Sequence, residues 1–587
     1  MVPDGKGGMT AALRRKGLGF TAVRGRRRGY VRLARDGRHF EHSGGEFFYP
    51  LGMALRSPSD TRDPKRDRTV LAAMRGGTEQ GDWTLIHNFT DDRHDVYADL
   101  IDLRGTYQFD DYFKKCGESG MNWARVWMCP WWLGMEWDHR YPGYEGAGRY
   151  NLANGWRMDH VIEQAEKTGM FLQVCLTNHG QVCAKIDREW DFHPYRWKMP
   201  KRLYKIPDHP AFQAEGEQAK RPGGFLKTPR DWFLDERAKK LTRNRLRYVV
   251  ARWGYTPNIM GFALMSEVEF TGGTSYEDER RGARYDGRPF PLQTAWHKEM
   301  AHYLRTIDPF RHLVTTHFSH PLNGYDVWNT QTLDYVQSNA YSSFTWLGGR
   351  PPNTVGAPRA MKVYYERFMK RWRRPVVIGE WGGHWMHNSS RVLDAELHTG
   401  LWAEAATPMA GATGYWWWLH VHYNNRYGEF AALARFVKGD DLRGITRQLD
   451  AGVEGAAGVE AMAAGDGKRR AYGYVYSQAM TRDLSRRPNV SGAVLVLGGM
   501  LAGAYEVEFW DTWKGARLST QRISSAGGPL KIPLPAFRGD LAVKVRAGAK
   551  GTGAAPEVKG LRGATPSGAG GGGAVRSAPA RRDAAER

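Results

Sequence analysis

The stretch Asn258–Phe270, "NIMGFALMSEVEF", sets an uncharged run, Gly261 to Ser266, directly before Glu267. Such a run reads as a strand buried on both faces, the kind a parallel sheet uses. A carboxylate at the mouth of a buried strand is costly to desolvate unless something uses it. The same pattern recurs in "PVVIGE" (375–380), which closes on Glu380. Outward from these two runs, short apolar segments alternate with amphipathic helical ones. "FFYPLGM", "GMNWARVWMC", "MFLQVCLTNHG", "IMGFALMSE", "HLVTTHFSH", "LDYVQSNAY", "RPVVIGEWGG" and "GATGYWWWLH" give eight strands. Segments such as "RMDHVIEQAEKTG", "RNRLRYVVARWG", "QTAWHKEMAHYLRTIDP", "AMKVYYERFMKRW" and "ELHTGLWAEAAT" supply the helices between them. Helices between short apolar strands imply a parallel sheet, and eight such units predict a (β/α)₈ TIM barrel over residues 45–432. A doubly wound open sheet is disfavoured because no GxGxxG turn follows the first strand.

Past residue 432 the helical periodicity fades. "RRAYGYVYSQ", "SGAVLVLGG", "GAYEVEFWDTW", "LKIPLP" and "GDLAVKVRA" are strand-like runs between glycine and proline turns. They predict a small C-terminal β-sandwich over 433–546. Residues 547–587, rich in Gly, Ala and Arg, cannot build a core and are expected to be a disordered basic tail. Residues 1–44 are basic and glycine-rich, with one strand-like run, "GYVRLARDGRHFEH".

The chain of 587 residues carries a formal net charge of +23, concentrated in its end segments. Terminal charge runs are usually solvated. No zinc-finger spacing, RNA-binding signature or helix-turn-helix pattern accompanies them, so no specific nucleic-acid partner is expected. At most, the charge favours attraction to acidic polymers. The four cysteines show no CxxC spacing and read as free buried thiols. No run of 18 apolar residues predicts a membrane span, and the opening residues hold no apolar signal core.

In a barrel, chemistry sits at the carboxyl ends of the strands. Those ends hold Arg125, His179, Glu267, His317, His320, Tyr341, Glu380 and Trp416 to Trp418. Glu267 and Glu380 can face each other across the mouth. Two facing carboxylates, one protonated and one ionised, are what glycoside hydrolysis requires. Arg125 is the candidate to keep one of them ionised, and the tryptophans offer flat faces for sugar rings. For either glutamate alone, a helix cap or an arginine pair is as good an account as catalysis. The two together, beside an aromatic eighth strand, point to chemistry. Glu269 competes with Glu267 for the acid role but does not directly follow the apolar run. The histidines read as scaffold before metal ligands, since there is no HExxH spacing; "HVH" at 420–422 is the nearest to a metal motif. No metal or organic cofactor is expected.

The runs "GEFFYPLGM", "FDDYFKKCGESGMNWARVWM", "YNLANGWRMDHVIEQAEKTGMFLQVCLTNHG", "MGFALMSEVEF", "VVIGEWGG" and "GYWWWLH" resemble the retaining glycoside hydrolases of clan A, with their cellulase-like barrels. The likeness is to bacterial members with a small β-sandwich on either side of the barrel, and it covers about residues 28 to 546. "GAYEVEFWDTWKG" with "LPAFRGDLAVKV" resembles the trailing sandwich. The resemblance implies an O-glycosyl hydrolase acting on a poly- or oligosaccharide, with Glu267 as acid/base and Glu380 as nucleophile. It implies that Arg125 holds Glu380 ionised, that Tyr341 hydrogen-bonds it, and that Trp416 or Trp418 floors the sugar subsite. Strand parity sets those two tryptophans on one face and Trp417 on the other. His179, Ser266, His317, Asn339 and Trp381 complete the expected substrate contacts.

Three departures stand out. Ser266 stands where the family usually has asparagine. Asn339-Ala340-Tyr341 replaces a frequent His-x-Tyr. Of the leading sandwich only a last strand is expected, within residues 1–44. The first two leave open a carbohydrate-binding protein on a degenerate barrel, without turnover. The resemblance also implies a secreted or periplasmic protein, although the chain shows no signal peptide. Sugar, linkage and oligomeric state are not legible.

Overall fold

In a computed structural model of the chain, the described residues are 2–3, 9–10, 28–58, 104–130, 132–139, 141, 143–185, 189–197, 224–274, 287–350, 353–385 and 388–548. The expected tail beyond Gly548 and most of the basic opening segment lie outside them. The fold is mixed α/β. Three short strands, β1 (Val31–Leu33), β2 (Phe40–His42) and β3 (Phe47–Phe48), form an antiparallel sheet. The chain then enters β4 (Leu51–Met53), β5 (Trp123–Trp127), β6 (Phe171–Cys175), β7 (Ile259–Ala263) and β8 (Leu313–Thr315). β9 (Val336–Asn339), β10 (Val376–Glu380) and β11 (Ala412–Tyr415) follow. β8, β7, β6, β5, β4 and β11 pair side by side, in that order, as a parallel six-stranded sheet. β9 and β10 pair in parallel beside it, and isolated parallel bridges Phe318–Ser338 and Trp381–Tyr415 join them to its two edges. The pairings therefore run once around, each strand beside its successor.

Helices α1 (Arg104–Glu118), α2 (Leu152–Thr168), α3 (Glu236–Trp253) and α4 (Pro291–Ile307) lie between successive strands from β4 to β8. α5 (Ala357–Val363), α6 (Ser390–Ala405) and α7 (Tyr427–Val437) come later. Their starts follow capping chemistry. Asn151, Asp235 and Ser389 each accept a backbone N–H of the first turn of α2, α3 and α6. Pro291 opens α4, where its missing N–H is no loss.

The ring's lower end is closed by the first sheet. Val31, Phe40 and Phe48 share a buried cluster with Trp123, Met260, Leu313, Tyr335, Val377 and Ala410, which lie at or near the starts of the parallel strands. Each strand is shorter than the apolar run suggests. Glu267, His179, His317, His320, Tyr341 and Trp418 all lie beyond the last rung of their strands rather than on them, because pairing stops where neighbouring chains diverge into loops.

After α7 the chain is antiparallel β. Arg447–Gln448, Val459–Gly465, Ala471–Ser477, Asp540–Ala547, Gly503–Asp511 and Ala516–Ser525 form one sheet in that order. Ala451–Glu454, Val494–Leu497 and Leu530–Pro533 form a second. Alternation explains the strand "AYGYVYS": Tyr472, Tyr474 and Tyr476 join the core around the parallel strands, while Ala471 and Val475 join a core shared by the two antiparallel sheets. Between α7 and the larger antiparallel sheet lies His398 of α6, whose Nδ1 is 2.7 Å from Glu429 of α7 and whose Nε2 is 2.8 Å from Asp540. Burial works against a charge on His398, but the two carboxylates prevail and raise its pKa to about 10.

Candidate active site

Glu380 is the last residue of β10, and its register partner in the neighbouring strand is Asn339, the last residue of β9. Arg125 stands at the middle of β5 and is wholly buried. Its Nη1 donates to Glu380 Oε1 at 2.8 Å, and its Nη2 donates to Ser266 Oγ at 3.0 Å. Tyr341 donates its hydroxyl to Glu380 Oε2 at 3.0 Å. A buried arginine paired with a carboxylate is expensive unless the remaining donors are met, and Ser266 meets one of them.

Glu267 lies past the end of β7 with φ 46° and ψ 59°, a left-handed conformation uncommon for a residue with a side chain. The surroundings hold it there. Its N–H donates to His317 Nδ1 at 3.2 Å, and the flanking backbone is tied to His317 by Val268 N–H to His317 O and His317 N–H to Met265 O, both 3.1 Å. Strained backbone that its neighbours over-determine is a mark of functional sites. His179 Nδ1 lies 3.3 Å from Glu267 Oε2.

The two glutamates meet through Asn339. Its side-chain nitrogen donates to Glu267 Oε1 at 2.9 Å and to Glu380 Oε2 at 3.3 Å. His317 Nε2 lies 2.5 Å from Asn339 Oδ1. Burial, then the charge of Arg125, push the His317 pKa well below its usual value, so the ring is neutral. The ring reaches this position because residue 379 is glycine: a Cβ there would stand 2.3 Å from His317 Cδ2. His317 is itself fully buried and acts on the site through Asn339 and Glu267.

Trp416 and Trp418 are both buried, with their rings 5.6 Å apart. Trp417 turns away and donates Nε1 to Gly382 O. Trp381, expected among the substrate contacts, faces the other way: Nε1 donates to Thr413 O, and the ring packs on Tyr415 and against Gly400 of α6. Strand parity is the reason, since Glu380 and the residue after it point to opposite faces. Glu269 does not compete at the mouth. It is fully buried, its pKa raised to about 7 by burial, and it accepts N–H bonds from Ser319 and His320. Two residues missing from the sequence reading join the site. Trp127, at the end of β5, lies 4.9 Å beneath the Arg125 guanidinium and 6.0 Å from the Trp416 ring. The Arg56 guanidinium sits 5.7 and 5.5 Å from the rings of Trp416 and Trp418. The signals were a tryptophan in "WARVWM" and an arginine directly after the first strand. Among the described residues, no group of three His, Cys, Asp or Glu is placed to hold a metal ion, and no helix is long and apolar enough to cross a membrane.

No protein-family model matches the chain, and no curated protein matches it. Solved structures do. One described as a glycoside hydrolase aligns at 13% identity and TM-score 0.50, over 89% of this chain and 98% of that one. A glycoside hydrolase family 5 structure from Bacteroides vulgatus aligns at 11% identity and TM-score 0.48, over 89% and 94%. A family 5 mannosidase from Rhizomucor miehei aligns at 15% identity and TM-score 0.39, over 66% and 85%. At such identities the first of these speaks to the fold alone, and the other two fall below the level at which they bear on it.

Proposed function

We propose that this chain is an O-glycoside hydrolase acting on a poly- or oligosaccharide with retention of configuration, built on a (β/α)₈ barrel with a C-terminal β-sandwich. The observation that carries this reading is the single Asn339 amide nitrogen within hydrogen-bond reach of both Glu267 and Glu380. Those two contacts bring Glu267 Oε1 and Glu380 Oε2 close to one another, which supports the short carboxyl spacing of a retaining pair.

In the first step Glu380, as carboxylate, attacks the anomeric carbon while protonated Glu267 gives its proton to the departing oxygen. The C–O bond to the leaving sugar breaks as the glycosyl–Glu380 ester forms. In the second step Glu267 takes a proton from water, whose oxygen attacks the same carbon and releases Glu380. Arg125 and Tyr341 hold Glu380 by one oxygen each, which fixes its lone pairs in space. Asn339 restrains the pair from the side. Trp416, Trp418 and Trp127, each at most 2% exposed, form a packed aromatic wall behind Arg125 on the side of the cleaved bond. Ser266, shorter than asparagine and already bonded to Arg125, contributes to positioning Arg125 in place of a sugar contact.

The test is turnover of activated aryl glycosides. Glu267→Ala and Glu380→Ala should each remove most hydrolysis, and the first-formed sugar anomer, followed by NMR, should match that of the substrate. Full turnover in either variant, or an inverted first product, would overturn the reading. Glycan binding without release of reducing sugar by the wild type would instead support the non-catalytic binding protein.

A further inference from the structure

We propose that the cleft between the loops of the catalytic face and the C-terminal sheets binds the acidic groups, carboxylate or sulfate, of a polyanionic glycan. The proposal deepens the glycosidase reading, and rests on it for the ligand's being a glycan.

The cleft is a cavity of about 920 Å³. Its barrel wall is made by Asn353 to Val355, from the segment between β9 and α5 that also carries Tyr341, and by Ser389 and Arg391, which follow the loop after Glu380. The two loops that border the cleft are therefore those that leave the strands of the candidate nucleophile and its tyrosine. Its far wall comes from the C-terminal sheets and the short helical turn after Ser477.

Four arginines line the cleft: Arg359, Arg391, Arg482 and Arg486. Two carboxylates line it as well. Asp483 lies 3.4 Å from Arg391 and 3.6 Å from Arg486, so these three groups offset one another in part. Glu460 accepts from the Tyr476 hydroxyl at 2.8 Å and from the Gln478 amide. No carboxylate of the described residues stands in ion-pair contact with Arg359 or Arg482, and both are exposed. The lining thus carries an excess of positive charge, with two guanidinium forks that ion-pair with no carboxylate of the described residues, although the charge of Arg482 acts on buried Glu396. A planar fork matches carboxylate and sulfate oxygens two at a time.

The remaining lining decides between polyanions. Asn353 and Gln478, both exposed, present amides suited to sugar hydroxyls. The lining aromatic, Tyr476, is 3% exposed and stacked on Tyr474, so it offers no platform for a nucleic-acid base. The volume is that of a ligand site for several ring atoms' worth of substrate rather than for one inorganic anion.

The test compares the full chain with an Arg359→Ala/Arg482→Ala double variant, neither residue being part of the catalytic machinery. Affinity electrophoresis at about 0.15 M salt, where long-range attraction to the basic end segments is screened, would use polygalacturonate, dextran sulfate, neutral dextran and polyglutamate. Polygalacturonate or dextran sulfate should retard the wild type, with about tenfold weaker binding in the double variant. Aryl glycoside turnover should not change. Retardation by polygalacturonate alone assigns a carboxylate, and by dextran sulfate alone a sulfate. Binding within about twofold of wild type in the double variant overturns the proposal. So does an equal, arginine-dependent retardation by polyglutamate, which would make the cleft a reader of charge alone. If the wild type hydrolyses no glycoside while the arginine-dependent glycan binding stands, the cleft is upheld and the catalytic reading fails by itself.

Discussion

His317 donates an Nε2–H hydrogen bond to Asn339 Oδ1 across 2.5 Å, and this contact settles which way the Asn339 amide faces. His317 Nδ1 accepts the Glu267 N–H, so a neutral ring must carry its proton on Nε2. Asn339 Oδ1 is thereby the acceptor, and its nitrogen is aimed at the two glutamates. His317→Phe keeps the ring's bulk and removes both hydrogen bonds. The expected result is a fall in kcat of about tenfold to a hundredfold with KM little changed, since Asn339 can then turn its oxygen to the carboxylates. Steady-state kinetics on an aryl glycoside would check it; an unaltered kcat would mean that the contact orients nothing.

Asn339→Asp sets a third carboxylate against the first two. Like charges at this distance disfavour one another, so kcat should drop by about 10²–10³ near neutral pH and recover in part as the medium is acidified. A pH–rate profile that merely scales down, without changing shape, would count against the bridging role.

Azide separates the roles of the two glutamates. With Glu380→Ala, azide should attack from the vacated side and yield a glycosyl azide of inverted configuration. With Glu267→Ala and a good leaving group, the glycosyl–Glu380 ester still forms, so azide should yield the retained anomer. Product analysis by NMR reads both; the same anomer from both variants would contradict the assignment.

The aromatic floor should act on binding more than on chemistry. Trp418→Ala is expected to raise KM about tenfold and to leave kcat within about threefold. Trp127→Ala should also lower kcat, because Trp127 lies beneath the Arg125 guanidinium that holds Glu380. Indistinguishable kinetics for the two variants would show that Arg125 does not depend on that ring.

Alkaline pH should loosen the contact between the barrel and the larger antiparallel sheet. The pKa of His398 is raised to about 10 in the folded chain, against about 6.5 unfolded. The folded state therefore binds its proton more tightly, and the stabilisation is complete below the unfolded value and lost as pH rises from there through the folded one. Thermal midpoints should fall between about pH 7 and pH 10, and His398→Gln, less stable throughout, should show a shallower fall. Parallel curves for the two proteins would assign the alkaline loss to another group.

Much of the fold is legible because uncharged runs that close on glutamate, as at Glu267 and Glu380, announce buried strands with chemistry at their tips. The short helices and strands between them follow from periodicity. What is not legible depends on contacts between distant segments. That His317 is a connector requires knowing that Gly379, 62 positions on, leaves it room. Trp381, expected among the substrate contacts, is sent into the helix layer by the facing of β10. Arg56, 3% exposed, gains its place only once Trp416 and Trp418 are set beside it. The first sheet has strands of two or three residues, too short for a period to register.

That first sheet constrains how the molecule comes together. Its residues leave synthesis early, yet the surface they cover is assembled from Trp123, Met260, Leu313, Val377 and finally Ala410. Side-chain contacts from Arg32 to the backbone carbonyls of Phe310 and Arg311 span an equally long stretch of chain. Val31, Phe40 and Phe48 must therefore wait, with their apolar faces unsatisfied, until nearly the whole ring has formed. Closure of so many distant contacts is slow, and the waiting segment is a point at which nascent chains are prone to associate with one another.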